Sequence, residues 1–321
     1  MMPMITDKRI CLSFICGVTW GFGSQKGEWL TQSAEESFTK LCKFTALNTL
    51  VLAVTIYQKN AHSVEVDRCS EQTVSDEEII KVIRLARSKG IRVILKPIVN
   101  LLDGTWRAYI DFFDIDVPCE PKWSEWFDSY SQSILHYAQL AQQSGCFMLC
   151  IGCELVQAQR REKEWRGLID NVRGVYSGLL TFNADKYQEG EVTWWDAVDV
   201  MSSSGYYPIN DWTAQLDRIE KTVIHYDKPF FFIEAGCPSR QGASFVPNNW
   251  ELAGDVSLEE QRSYYEAMFK SVKGREWFDG FGLWDWPAEI YSQALVAAND
   301  GYCVYGKPAQ QEVFEYYKSF Q

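Results

Sequence analysis

The stretch SDEEIIKVIRLARSKGIRVILKP, residues 75–97, carries a helix, a stop and a strand in succession. Ile79, Ile80, Ile83, Leu85 and Ala86 fall at helical spacing, Ser75 can cap the helix and Gly90 can stop it. The run Ile91–Lys96 is then apolar without alternation, and Pro97 is expected to halt it. A strand that is apolar on both faces belongs in a parallel sheet covered by helices.

The same unit recurs in both directions. Toward the N-terminus, strands are expected over Ile10–Cys16 and Thr49–Ile56, with a helix over Ser33–Thr45 between them. Toward the C-terminus, strands are expected over Cys146–Ile151, Leu179–Phe182, Val198–Ser203, Phe230–Ile233 and Gly280–Trp286. Helical patterns cover Trp123–Gln143, Glu164–Tyr176, Leu216–Tyr226, Leu258–Val272 and Ala309–Phe320. Eight strand–helix units in 321 residues predict an α/β protein, a (β/α)8 barrel forming one domain over residues 1–321. A doubly wound sheet is the alternative, but Gly17, Gly21, Gly23 and Gly27 do not make the glycine-rich turn such a sheet uses for phosphates.

Composition narrows the function. Lys plus Arg is 31 against 43 for Asp plus Glu, a net charge of −12, which argues against nucleic acid as a partner. No apolar run is long enough to span a bilayer, so no membrane partner is expected. Three His weaken any histidine metal site or Ser-His-Asp triad, and neither metal nor cofactor is expected. The charged start, Met1–Arg9, ahead of the apolar run Ile10–Val18 faintly resembles a signal peptide. The bulky residues that follow offer no cleavage site, so the run reads as a first core strand. Most of the ten Cys sit inside apolar runs, as reduced cytoplasmic thiols do. The spacing Cys150-x-x-Cys153 would put the two side chains on opposite faces of a strand. A cytoplasmic location is expected.

In such barrels chemistry sits at the C-terminal ends of the strands. Two strands end in a carboxylate: the fourth at Glu154 and the seventh at Glu234. By strict alternation Glu154 shares a face with Met148, Cys150 and Gly152, and Glu234 with Phe230 and Phe232. An unpaired charge after an apolar run is costly. Two glutamates aimed at one axis make the acid and nucleophile of retaining glycoside hydrolysis, about 5–5.5 Å apart. A solvated loop residue or an ion pair is the plainer reading of either one alone. The 13 Trp, 16 Tyr and 18 Phe favour a sugar, whose C–H faces stack on flat rings. Trp20 and Phe22 follow the first strand, Trp106 and Arg107 the third, and Tyr206 and Tyr207 the sixth. Trp284 and Trp286 share a face of the eighth, and Trp250 lies in the loop after Glu234. For any single ring, a place in the core is the ordinary alternative.

Read in order, Leu95-Lys96-Pro97, Asp103-Gly104-Thr105-Trp106-Arg107, Ile151-Gly152-Cys153-Glu154-Leu155, Trp165-Arg166, Tyr206-Tyr207-Pro208, Ile233-Glu234-Ala235-Gly236 and Gly306-Lys307-Pro308-Ala309 resemble glycoside hydrolase family 113 of clan A, the β-1,4-mannanases. The resemblance runs from Ile10 to Tyr317. It implies Glu154 as acid/base, Glu234 as nucleophile, and hydrolysis of β-mannan or manno-oligosaccharides with retention. Tyr206, with Tyr207 as runner-up, would hydrogen-bond the nucleophile, and Trp284 would underlie the sugar that is cleaved. Most of the clan has Asn before the acid/base, where it binds the sugar 2-OH. Cys153 stands there in this chain and is a poor donor, so Lys96 and Asn100 are the candidates for that contact. The competing readings are another clan A β-glycosidase such as a β-glucanase, a barrel that binds sugar without cleaving it, and an aldolase-type barrel.

Overall fold

The computed structural model describes residues 10–321, so Met1–Arg9 lie outside the described residues. Its strands are β1 (Ile15–Trp20), β2 (Thr49–Gln58), β3 (Val66–Asp67), β4 (Arg92–Leu101), β5 (Met148–Cys153), β6 (Leu179–Ala184), β7 (Val200–Gly205), β8 (Phe230–Ala235) and β9 (Phe278–Trp286). All but β3 are parallel, and β1 pairs with β9 on one side and β2 on the other, which closes an eight-stranded barrel. β3 is a short antiparallel arm on β2.

Among the described residues, seven α-helices wrap the barrel: α1 (Gln32–Thr45), α2 (Asp76–Ser88), α3 (Trp123–Ser144), α4 (Glu162–Arg173), α5 (Trp212–Tyr226), α6 (Leu258–Ser271) and α7 (Pro308–Lys318). The eighth helical position, between β6 and β7, holds only a 3-10 turn at Trp195–Ala197. Trp194 and Trp195 are fully buried there, and Trp194 stacks on Trp165 with ring centroids 5.1 Å apart. Aromatic rings thus cover the sheet where a helix is missing.

α2 shows how the local code works. Ser75 Oγ accepts from the Glu78 amide and the Glu78 carboxylate accepts from the Ser75 amide, a reciprocal cap that satisfies orphan donors of the first turn. The same buried carboxylate accepts from the amides of Gly27 and Trp29 at 2.8 and 3.1 Å. One glutamate therefore caps α2 and ties down the loop between β1 and α1.

Three apolar layers follow from strand alternation. Between barrel and helices lies the largest, which holds most of the tryptophans. The barrel interior is plugged by Ile15, Val51, Ile94, Met148, Cys150, Val200, Phe231 and Ile233. Above the plug, toward the C-terminal strand ends, Ala53, Ile98, Cys153, Tyr206, Trp284 and Tyr302 form a floor.

The structure departs from the sequence expectations where alternation breaks. β1 begins at Ile15, several residues later than expected, and runs on to Trp20. Pro97 lies inside β4 and does not end it. Arg92 donates toward β2 and Val93 accepts from Phe147 on the β5 side, so by alternation Pro97 faces β5. Pairing with β5 has already stopped at Leu95↔Leu149, so the missing N–H leaves no ladder bond unmade. Irregularities also interrupt β5 between Cys150 and Cys153, and β8 around Glu234. As a result Cys150 and Cys153 both face inward, whereas Gly152 faces Phe182 and Trp165 outside. Likewise Phe230 and Phe232 point outward to the helices, while Phe231 and Ile233 fill the barrel. Glu234 faces inward because the ladder slips, not because it shares a face with the two outer phenylalanines.

Candidate active site

A cleft of about 800 Å³ opens at the C-terminal end of the barrel. Tyr206 and Trp284 form its buried base, Phe22 packs against Trp284 at 4.7 Å, and Trp106 and Trp250 stand exposed at its edge. Glu154 and Glu234 both line it, although only 7% and 5% of each residue is exposed.

Glu154 directly follows β5 and has a left-handed backbone, φ +52°. For a non-glycine residue such a conformation costs about 1–3 kcal/mol, and it persists only where the surroundings enforce it. Its amide donates to the Asn183 carbonyl at 2.8 Å, which carries the chain from β5 across to β6. Its side chain accepts from three donors. Ser204 Oγ is 2.8 Å from Oε1, while Arg107 Nη1 and Trp106 Nε1 are 2.7 and 3.3 Å from Oε2. Arg107 is itself clamped, donating to the Val99 carbonyl and to Asn100 Oδ1 at 2.8 and 2.7 Å, so its planar fork is already oriented.

Glu234 has a different set. Oε1 is paired with the Lys96 ammonium and lies 3.5 Å from Cys153 Sγ, and Oε2 accepts from the Tyr206 hydroxyl at 3.0 Å. Burial alone would push the fully buried Lys96 ammonium down, but the Glu234 carboxyl paired with it outweighs burial and its pKa is raised. Burial pushes both the Cys153 thiol and the Tyr206 phenol well above their usual ranges, so each keeps its proton and acts as a donor to Glu234. Glu234 is thus a buried carboxyl whose two oxygens face one ammonium and two neutral donors.

Two further carboxyls border this centre. Asp185 lines the cleft, and burial together with the nearby Glu154 charge pushes it up to about 8. That direction favours the neutral form, in which the carboxyl can donate as well as accept. Asp285 follows Trp284, and burial and then the Glu234 charge push it up to about 7.

Of the residues singled out from sequence, Glu154, Glu234, Lys96, Asn100, Trp106, Arg107, Cys153, Tyr206 and Trp284 converge on this centre. Lys96 lies beneath it, held by Glu234 and Asn183, and Asn100 lines the cleft. Three residues lie elsewhere. Trp20 is buried against Trp29 and Phe38 on the outer side of β1. Tyr207 turns outward and donates to the buried Glu189, which also pairs with Arg218. Trp286 donates to Ser37 of α1 at 3.1 Å. An extra residue in β9 opposite Trp20 breaks the alternation that would have kept Trp286 beside Trp284. Of the 13 Trp, only Trp106, Trp250 and Trp284 line the cleft; most of the others are core.

Sequence reasoning passed over Asn183 and Ser204. Lys96 Nζ donates to Asn183 Oδ1 at 2.8 Å, Asn183 Nδ2 donates to Ser204 Oγ at 2.9 Å, and Ser204 donates to Glu154. The signal available was a polar side chain at each strand end, which carries meaning only once the register is known.

The model of Glycoside Hydrolase Family 113 matches residues 18–307. No curated protein matches the chain. Among solved structures, a GH113 β-1,4-mannanase complex is 52% identical, with a TM-score of 0.95, covering 96% of this chain and 100% of that one. The GH113 β-mannanase AaManA from Alicyclobacillus acidocaldarius, in complex with ManMIm, is 39% identical with a TM-score of 0.93, covering 97% and 99%. A Ruminococcus gnavus β-glucuronidase shares only the fold, at 12% identity and TM-score 0.64, covering 97% of this chain and 51% of that one.

Proposed function

The chain belongs to glycoside hydrolase family 113, and from that premise we propose that it is a β-1,4-mannanase acting by double displacement with retention. The observation that carries the mechanism is the contrast between two glutamates sharing one cleft. Glu234 is fixed by an ammonium and two neutral donors, as an ionised nucleophile requires. Glu154 shares its cleft-facing oxygen with Arg107 and Trp106, and can act as an acid when the glycosidic oxygen takes the place of those contacts. Glu234 attacks the anomeric carbon while Glu154 protonates the leaving oxygen. Glu154 then takes a proton from the water that releases the mannosyl-enzyme. Trp284, at the cleft base, supplies the platform beneath the sugar, and Phe22 holds its ring.

A panel of mannan, glucomannan and cellulose tests the substrate. Cleavage of mannan with no comparable cleavage of cellulose is expected, and the reverse order overturns the reading. The anomer released first, followed by proton NMR, tests retention; immediate release of the inverted anomer overturns it. We further propose a cytoplasmic enzyme whose natural substrates are short manno-oligosaccharides. Its ten free thiols, four of them outside the buried interior, suit a reducing compartment. Cell fractionation, with product profiles on mannotriose through mannohexaose against polymer, checks both points. Secreted activity, or a preference for polymer, counts against them.

A further inference from the structure

We propose that Asn183 and Ser204 are positioning residues that fix which oxygen of Glu154 carries the catalytic proton. The inference rests on the double-displacement reading above and deepens it. Lysine is only a donor, so the Asn183 atom facing Lys96 Nζ at 2.8 Å is its carbonyl oxygen, and the amide orientation follows from chemistry. Asn183 Nδ2 then donates to Ser204 Oγ at 2.9 Å and to the Ala184 carbonyl, also at 2.9 Å. With its oxygen accepting from Asn183, Ser204 turns its single proton to Glu154 Oε1, 2.8 Å away. All three side chains are buried, so water does not compete for these bonds.

The consequence is an asymmetric carboxyl. Oε1 accepts from Ser204 whether or not Glu154 is protonated, so the acidic proton resides on Oε2. That oxygen faces Trp106 and Arg107, both of which line the cleft. A protonated Oε2 is uncharged and a poorer acceptor, so the Arg107 contact weakens when Glu154 is loaded as an acid. A permanent charge at Lys96 thus sets the direction of each bond up to the reacting group while also pairing with Glu234. The other titratable groups facing Glu154 are Arg107, Cys153, Asp185, Lys186 and Tyr206. The substitutions below leave all of them in place.

Ser204→Ala, Ser204→Thr, Asn183→Ala and the Ser204→Ala/Asn183→Ala double variant test the path. Ser204→Ala removes a donor that favours the Glu154 anion. The limb of the kcat/KM profile on which the acid loses its proton therefore moves to higher pH, by roughly half a unit. Turnover of manno-oligosaccharides falls about tenfold, while activated aryl mannosides, which need little protonation, change less than about twofold. Ser204→Thr keeps the hydroxyl and restores the limb. Asn183→Ala moves the limb in the same direction, and the double variant moves it no further than Ser204→Ala alone. An unmoved limb, equal losses on both substrate classes, or additive shifts in the double variant overturns the proposal. An isotope-edited infrared titration of the carboxyl band that Glu154→Gln removes needs no turnover. If wild-type protein leaves mannosides intact, the mannanase reading fails, and the band's shift in Ser204→Ala still decides this one.

Discussion

At the scale of single residues, the two glutamates are distinguished by their partners. Glu234→Gln removes the nucleophile and is expected to abolish turnover of every substrate. Glu154→Gln is expected to spare activated aryl mannosides far more than manno-oligosaccharides, because a good leaving group needs little help from an acid. Steady-state rates on both substrate types check this, and equal losses in Glu154→Gln count against the assignment. Lys96→Met is more telling about the ground state. Removing one partner of a buried ion pair leaves the other charge uncompensated, at a cost of about 3–5 kcal/mol. Glu234 would keep only Cys153 and Tyr206 as donors. The acidic limb of the activity profile should then move to higher pH, since the ammonium that favoured the anion is gone. An unchanged acidic limb would show that Lys96 does not hold the nucleophile ionised.

At the scale of elements, the helices obey rules that can be tested without any substrate. Ser75→Ala removes the reciprocal cap of α2 and should lower stability by about 1 kcal/mol, read by denaturant unfolding, with KM unchanged. Gly280→Ala should do more damage. Gly280 has φ +133°, and an added Cβ would stand 2.2 Å from the Ile15 carbonyl oxygen. That atom belongs to the β1–β9 seam, so thermal unfolding is expected well below wild type; an unchanged Tm would mean the seam can shift to make room. The same elements show what was legible in the sequence. The strands, the order of units and the two terminal glutamates could be read from apolar runs and spacing alone. Side-chain direction could not, because the ladder slips at Cys150–Cys153, around Glu234 and beside Trp286. Trp20, Tyr207 and Trp286 looked like cleft residues for that reason, and Asn183 and Ser204 looked like nothing in particular. The slips sit where the chemistry sits, since re-aiming a side chain at a strand end is what an irregular ladder can do.

At the scale of the whole molecule, pH acts through carboxyls that folding keeps neutral. Asp285 has an ordinary value of 3.8 and is pushed up to about 7 in the folded protein. Below about pH 4 it is protonated in both states and makes no difference. As pH rises toward 7, the unfolded chain ionises first, so folding loses stability across that window, and the loss then stays constant. Asp285→Asn removes the penalty. It should raise the melting temperature at pH 8 and leave it unchanged near pH 4; a gain of equal size at both would mean the effect is not one of charge.

The way the barrel is sealed has a consequence for its birth. β1 is bonded to both β2 and β9, yet of the barrel strands it is the first to leave the ribosome and β9 is the last. Until residues 278–286 emerge, β1 and β8 present bare edges, which are templates for association with other chains. The same strand brings Trp284 to the floor of the cleft. Closing the sheet and finishing the catalytic chamber are therefore one event, so a nascent or truncated chain is at once adhesive and inert.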